Sequence, residues 1–471
     1  ALPISGVIGF LAVYLILFAV GTSVKKMYRI FPAAVLMVLI CELFVLDYPS
    51  LWHRESPTRN QVATEYYNDG TKEAVAMLKE QDDSVYRIEK SYTSASENDG
   101  MSQGYNGLSV YMSTNPASLV AYHKMYGPET LSGNFVDFNM DDYIRSSLLG
   151  TKYLITGTGY HAPQKIYTSV GEAGGRSVFE NQYALPFGYL YDKEWNQEEV
   201  KEMSGLDKTL ASLSGFYYTD AEETSSYQKA DLPEQTDLSL LDYADTATDC
   251  TMEKGSEGIT VSNLGADPNV VFPGVASCFA DNDKLYGLSL TVDAPDETEM
   301  AVYYQTEGDE GFSAEKVYTF KVTEDNRTWE HLVPGGITEL RVDVSSPVES
   351  AVINNFELKS CDITESGYTA LKESGVDEVT FSDSTYQAQV TNDASENKML
   401  CVPLFYQKGW TAQIDGEDAG VYNINEGMCG VEVPSGTHEI VLKYETPYQN
   451  YGVGMTIIGI IIFILAFSQN L

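Results

Sequence analysis

Two apolar stretches at the start of the chain and a third at its end enclose a long, acidic, aromatic-rich middle. Leu2 to Val24 carries no charge, and at about 1.5 Å of rise per residue it is long enough for a hydrocarbon core of roughly 30 Å. Ile30 to Leu46 and Gly452 to Phe467 are shorter runs near the spanning minimum. The pattern predicts three transmembrane helices, as a hairpin within residues 1–47 and a C-terminal helix within residues 448–471. Lys25, Lys26 and Arg29 crowd the loop of the hairpin, which assigns it to the cytoplasmic side. Residues 48–451 then lie on the extracellular side. The chain opens at Ala1 directly in an apolar run and reads as a fragment whose missing part precedes it.

Charge narrows the partners. Against 29 basic residues stand 68 acidic ones, a formal charge of −39 that falls entirely on the middle. Such a field repels nucleic acid and anionic lipid surfaces, so no nucleic-acid partner is expected. Membrane lipid is the expected partner of the apolar ends. Six cysteines without regular spacing do not form a disulfide framework, and a middle this long buries its own core without one.

Local patterns divide the middle into three. Residues 48–236 read as a mixed α/β domain. Helices are predicted at Thr71–Gln81, with Ala74, Val75 and Leu78 on the apolar face, from Ser113 onward, at Asp141–Leu149 and from Asn196 to Leu213. Strands are predicted at Val85–Glu89, Lys152–Thr156, Ser177–Glu180 and Pro186–Tyr191. Residues 237–365 show alternating strands separated by Gly, Asp and Pro turns, and Tyr318, Phe320 and Val322 fall on one face. This stretch predicts a β-sandwich of jelly-roll type, like a carbohydrate-binding module in pattern. Residues 366–447 read as a small β domain, with Asp415-Gly416 as a hairpin turn after Trp410–Ile414.

The scan for chemistry is mostly negative. No nucleophile elbow, zinc-protease helix, phosphate loop or calcium loop is present, and no cofactor is identified. Gly157-Thr158-Gly159 follows a strand, but Pro163 denies it the helix that a dinucleotide needs. The five histidines are scattered, with no metal-ligand spacing. Glu42 is the one ionisable residue inside an expected span; it either reaches the interface or serves a contact between helices. Aromatic residues are the richer signal, with 33 Tyr and 18 Phe. Sugars stack their C–H faces on rings and need amide partners for their hydroxyls, so Tyr105, Asn106, Tyr111, Tyr122, Tyr126 and Trp195 are the candidate glycan contacts. Ordinary core packing is the competing account of each ring.

Four stretches carry a resemblance: Leu148-Leu149-Gly150-Thr151-Lys152-Tyr153-Leu154-Ile155, Phe179 through Tyr189, Gly409 through Gly416, and Pro434 through Ile440. In this order, between apolar ends, they resemble the bacterial YfhO family. That family consists of many-spanning membrane proteins similar to glycosyltransferases of the GT-C architecture. The resemblance implies transfer of sugar from a polyprenyl-phosphate donor to a cell-wall polymer of teichoic-acid type. It also implies that the catalytic acidic residue lies upstream, so no catalytic residue is expected in this fragment. The middle would position the acceptor or cover the active site. The alternative is a membrane-tethered glycan-binding or assembly module without catalysis.

Overall fold

The computed structural model describes residues 4–23, 30–52, 58–95, 98–126, 135–136, 142–157, 162, 165–219, 227–324, 326–344, 348–382 and 384–468. Two compact units emerge, Ala1–Tyr66 and Tyr67–Leu471. In the first, α1 (Ile4–Ser23) and α2 (Phe31–Trp52) pack on each other, with Phe18 and Phe31 edge to face at 5.3 Å. Gly21 permits this approach, since a Cβ there would lie 2.4 Å from the Phe31 ring. Glu42 is not left to the interface: its Oε2 accepts from the Tyr14 hydroxyl at 2.7 Å. The loop holding Lys25, Lys26 and Arg29 lies outside the described residues.

The expectation of three transmembrane helices requires correction. Helices do form at the three apolar stretches, the last as Gln449–Ser468. Among the described residues, however, none is long and apolar enough to cross a membrane. α1 and the last helix have 20 residues each, about 30 Å at 1.5 Å per residue, which only equals the thickness of a hydrocarbon core. The last helix spends its first turn on Gln449, Asn450 and Tyr451, and Glu42 breaks the apolar run within the continuous helix α2.

The second unit is dominated by strands. Its first sheet runs in the order β1 (Arg87–Lys90), Thr151–Thr156, Arg176–Asn181, Tyr167–Ala173, parallel at the first pairing and antiparallel after it. Helix Thr71–Gln81 forms over the predicted range because Ala74, Val75 and Leu78 recur at helical spacing; they pack on Tyr86, Ile88, Tyr153, Ile155 and Val178. The stretch from Asn196 to Leu213, expected as one helix, is two. Gln197–Glu202 is capped by Asn196, and Gly205–Ser214 by the Ser204 hydroxyl, which accepts from the Asp207 amide at 3.2 Å.

Between Thr236 and Asp362 two antiparallel sheets enclose one core, with Phe272 and Phe356 edge to face at 5.0 Å. Strand Val317–Val322 turns Tyr318 and Val322 inward and Thr319 and Lys321 outward, as the alternation requires. The last region has two further sheets. Asp415 and Gly416 both take positive φ, 51° and 84°, in the predicted hairpin between Trp410–Ile414 and Glu417–Ala419. One of these sheets borrows a strand from far upstream: Tyr189–Tyr191 pairs with Lys398–Phe405, Leu190 opposite Leu400. The polypeptide on either side of the sandwich is thereby joined by main-chain hydrogen bonds. All six cysteines are free, and Cys361, Cys401 and Cys429 are buried.

Candidate functional site

The site is built around β1. Its first residue, Arg87, donates its backbone N–H to the Gly150 carbonyl at 2.9 Å, which binds the strand to the turn ahead of Thr151–Thr156. Gly150 holds φ at +79°, a left-handed conformation that glycine adopts without penalty. A Cβ at Gly150 would stand 2.7 Å from the Phe187 ring, so the missing side chain is what admits that ring. Phe187 in turn carries the Arg87 guanidinium, whose carbon lies 5.0 Å from the ring centroid. One guanidinium nitrogen of Arg87 also donates to the Leu149 carbonyl.

Arg87 is 8% exposed, and what it faces is a cavity of about 270 Å³. Tyr105, Asn106 and Ser109 bring polar atoms to the wall; Phe187, Phe381 and Leu404 bring apolar surface. Burial pulls the guanidinium down to about 10, with the Glu89 carboxylate acting the other way, so it remains a cation at neutral pH. No carboxylate stands within ion-pair range of Arg87 among the described residues. Glu89 instead accepts from the Leu108 amide at 3.2 Å.

The other end of β1 is the opposite case. Lys90 and Asp99 form an ion pair at 2.7 Å, their side chains 5% and 4% exposed. Lys90 also donates to Ser94 Oγ at 2.7 Å and Gln103 Oε1 at 3.2 Å, which uses all three ammonium hydrogens. Asp69 extends the network through Thr71, Ser94, Gln103 and Arg176. Burial pushes the Asp69 carboxyl upward, but the hydrogen bonds from Thr71 and Ser94 and the Arg176 charge outweigh it and hold it below the usual range. Burial raises the Tyr105 phenol well above its ordinary value, keeping it a neutral donor.

The residues nominated from sequence are dispersed. Tyr105 and Asn106 line the cavity. Tyr111 is 51% exposed nearby and exchanges both backbone hydrogen bonds with the Asn98 side chain. Tyr122 packs edge to face on Phe405 at 6.0 Å, deep in the core. Trp195 is buried too, its indole donating to the Ala211 carbonyl at 3.0 Å. Tyr126 ends the helix Ala117–Tyr126, and its side chain lies outside the described residues. Tyr122 and Trp195 are therefore buried core residues, and the Trp195 indole N–H is satisfied within the fold. Sequence reasoning missed Arg87, Phe187, Phe381 and Leu404. A cation inside the apolar strand Val85–Glu89 was the available signal for the first. Among the described residues no group of three His, Cys, Asp or Glu could hold a metal ion.

Comparison with known proteins supplies the frame. The model of the family described as bacterial membrane protein YfhO matches residues 4–456, and the chain belongs to that family. The uncharacterized protein YfhO of Bacillus subtilis (strain 168) is 21% identical over 431 residues, covering 87% of this chain and 46% of the relative. The chain thus spans about half the length of the curated relative it matches. Among solved structures it is similar to the C-terminal CBM6 of LamC from Zobellia galactanivorans (13% identity, 27% of this chain, 100% of that chain, TM-score 0.17). It is also similar to a family 11 carbohydrate-binding module from Clostridium thermocellum (15%, 30% and 92%, TM-score 0.18) and to the mycobacterial arabinofuranosyltransferase AftD (10%, 49% and 30%, TM-score 0.15). Likenesses at such scores assign neither fold nor ligand to this chain.

Proposed function

From its place in a family of bacterial membrane proteins, we propose that this chain is the glycan-handling part of a larger membrane glycosyltransferase. The β-rich unit faces the cell exterior and holds one unit of a cell-wall polymer in the Arg87 cavity. Sugar passes to that polymer, of teichoic-acid type, from a polyprenyl-phosphate donor. The catalytic residues lie outside this chain.

One observation carries the reading: Tyr105 and Asn106 line the same cavity as Phe187, Phe381 and a buried guanidinium. Rings offer faces to sugar C–H groups, while amide, hydroxyl and guanidinium groups bond hydroxyls and fix orientation. About 270 Å³ lies just under the usual range of roughly 300–1,000 Å³ for small-molecule sites, which suits one residue of a polymer better than an oligosaccharide.

The test uses the full-length protein in cells whose wall polymer carries the sugar. Asn106→Ala combined with Phe381→Ala changes two exposed lining residues and leaves the core intact. Sugar incorporation should fall about tenfold at unchanged protein level. Unchanged incorporation would exclude the cavity from acceptor handling. Loss of polymer binding in a cell that never incorporates sugar would instead identify a binding module without catalysis.

A further inference from the structure

We propose that the Arg87 cavity is an oxyanion site, taking a phosphate or carboxylate borne on a polyol or sugar body. This rests on the glycan reading above and adds the charge of the unit bound. The first argument is the pattern of neutralisation. Arg145 meets Asp142 at 2.5 Å, Arg176 meets Asp69 at 3.4 Å and Arg341 meets Asp343 at 2.5 Å. Each of these is more exposed than Arg87, which has no carboxylate within ion-pair range among the described residues. In a chain with 68 acidic residues, shortage of partners does not explain the gap. A buried charge without an ion-pair partner is costly to keep, and functional sites are where such charges concentrate because a ligand can complete the pair.

The second argument is geometric. A guanidinium has five N–H donors in a rigid fork suited to two oxygens of one anion. Arg87 directs one nitrogen to the Leu149 carbonyl and lies over the Phe187 ring, and among the described residues no further hydrogen bond engages its guanidinium. The rest of the fork opens on the cavity, whose apolar lining at Phe187, Val110 and Leu404 strengthens a charge interaction there. Gly150, Leu149 and Phe187 hold the plane of the fork before any ligand arrives. Ser109 and Asn106 line the same cavity and would meet hydroxyls of the ligand.

The experiment is titration calorimetry on the detergent-solubilised full chain with glycerol 1-phosphate, glucuronate and neutral glucose. The charged probes should bind at least tenfold tighter than glucose; phosphate preferred over carboxylate, or the reverse, identifies the source of the anion. Arg87→Met should abolish the difference while leaving glucose binding unchanged, and Arg87→Lys should restore part of it. Met101→Glu, at an exposed position on the same rim, keeps the core intact and should weaken only the charged probes. Equal binding of all three probes, unchanged in Arg87→Met, would overturn the oxyanion site and leave the glycan reading standing. Binding of none would overturn both.

Discussion

The two ends of one four-residue strand carry buried cations in opposite states. At Lys90 every ammonium hydrogen has an acceptor, and Asp99 supplies the countercharge at 2.7 Å. At Arg87, three residues earlier, one carbonyl and one ring are the direct contacts among the described residues, Glu89 acts only through its charge, and the side chain lines a cavity. The strand, the sheet and the protein are the same, so solvent or composition does not account for the difference. Neutralised burial locks neighbouring loops together, whereas burial left open at one side prepares a place for something else. Lys90 is in this sense a fastening, tying residues 94, 99 and 103 to β1, and Arg87 a receptor.

The comparison predicts where substitution hurts. The largest effect belongs to Asp99→Ala, which strands the Lys90 charge and also removes the acceptor for the Ser94 and Ala95 amides. A loss of about 3–5 kcal/mol in unfolding free energy is expected, because breaking a buried pair leaves an uncompensated charge. Denaturant titration measures it; a loss under 1 kcal/mol would mean that the pair is decoration. Next comes Gly150→Ala, which forces a Cβ into a left-handed residue and against Phe187. About 2 kcal/mol or more of stability should be lost, and selectivity for anions should fall with it as Phe187 withdraws from Arg87. Stability lost with selectivity intact would separate the ring from the receptor.

Trp195→Phe is expected to cost less, about 1–2 kcal/mol, since it deletes the indole bond to the Ala211 carbonyl in a buried cluster. Glucose and glycerol 1-phosphate should bind the variant as before; any change in their affinity would return Trp195 to the ligand contacts. Smaller again is the response of Asp69 to acid. Its folded carboxyl titrates below the ordinary value, so the stability it contributes is fully present above about pH 4, the unfolded value. That contribution disappears as pH falls through the folded value. The melting temperature of wild type should therefore drop more steeply below pH 4 than that of Asp69→Asn, and parallel curves would show that Asp69 holds nothing at the Lys90 end.

What sequence could and could not show follows the range of the interactions. Thr71–Gln81 was legible because Ala74, Val75 and Leu78 repeat at helical spacing within one element. The Asp415-Gly416 turn was legible because two adjacent residues set its backbone. The break at Met203 was readable in Ser204 and Asp207, a capping pair three apart, but the apolar periodicity on both sides concealed it. Aromatic content located a ring-rich stretch and half of the cavity, Tyr105 and Asn106, yet gave no sign of which way a ring turns. Tyr122 and Trp195 accordingly landed in the core. Hydropathy found three helices correctly and overstated their reach. The receptor itself was beyond local reading. Arg87 is buried by Leu149, Gly150 and Phe187, sixty to a hundred residues away, and the open side of its guanidinium exists only once those segments meet.

The smallest expected effect is the most decisive. Arg87→Met removes a desolvated charge that no ion pair among the described residues repays, and a flexible thioether can rest on the Phe187 ring where the guanidinium lay. Against this relief stands the Leu149 carbonyl, which loses its donor; an unsatisfied buried acceptor costs about 1–3 kcal/mol. The two oppose each other, so unfolding free energy should move by no more than about 1 kcal/mol in either direction, while the preference for anionic probes vanishes. Asp99→Ala should show the mirror image, with stability lost and the preference retained in whatever fraction stays folded. If Arg87→Met instead destabilises as strongly as Asp99→Ala, the guanidinium is held for the fold, both cations of β1 are fastenings, and the distinction between the two ends of the strand disappears.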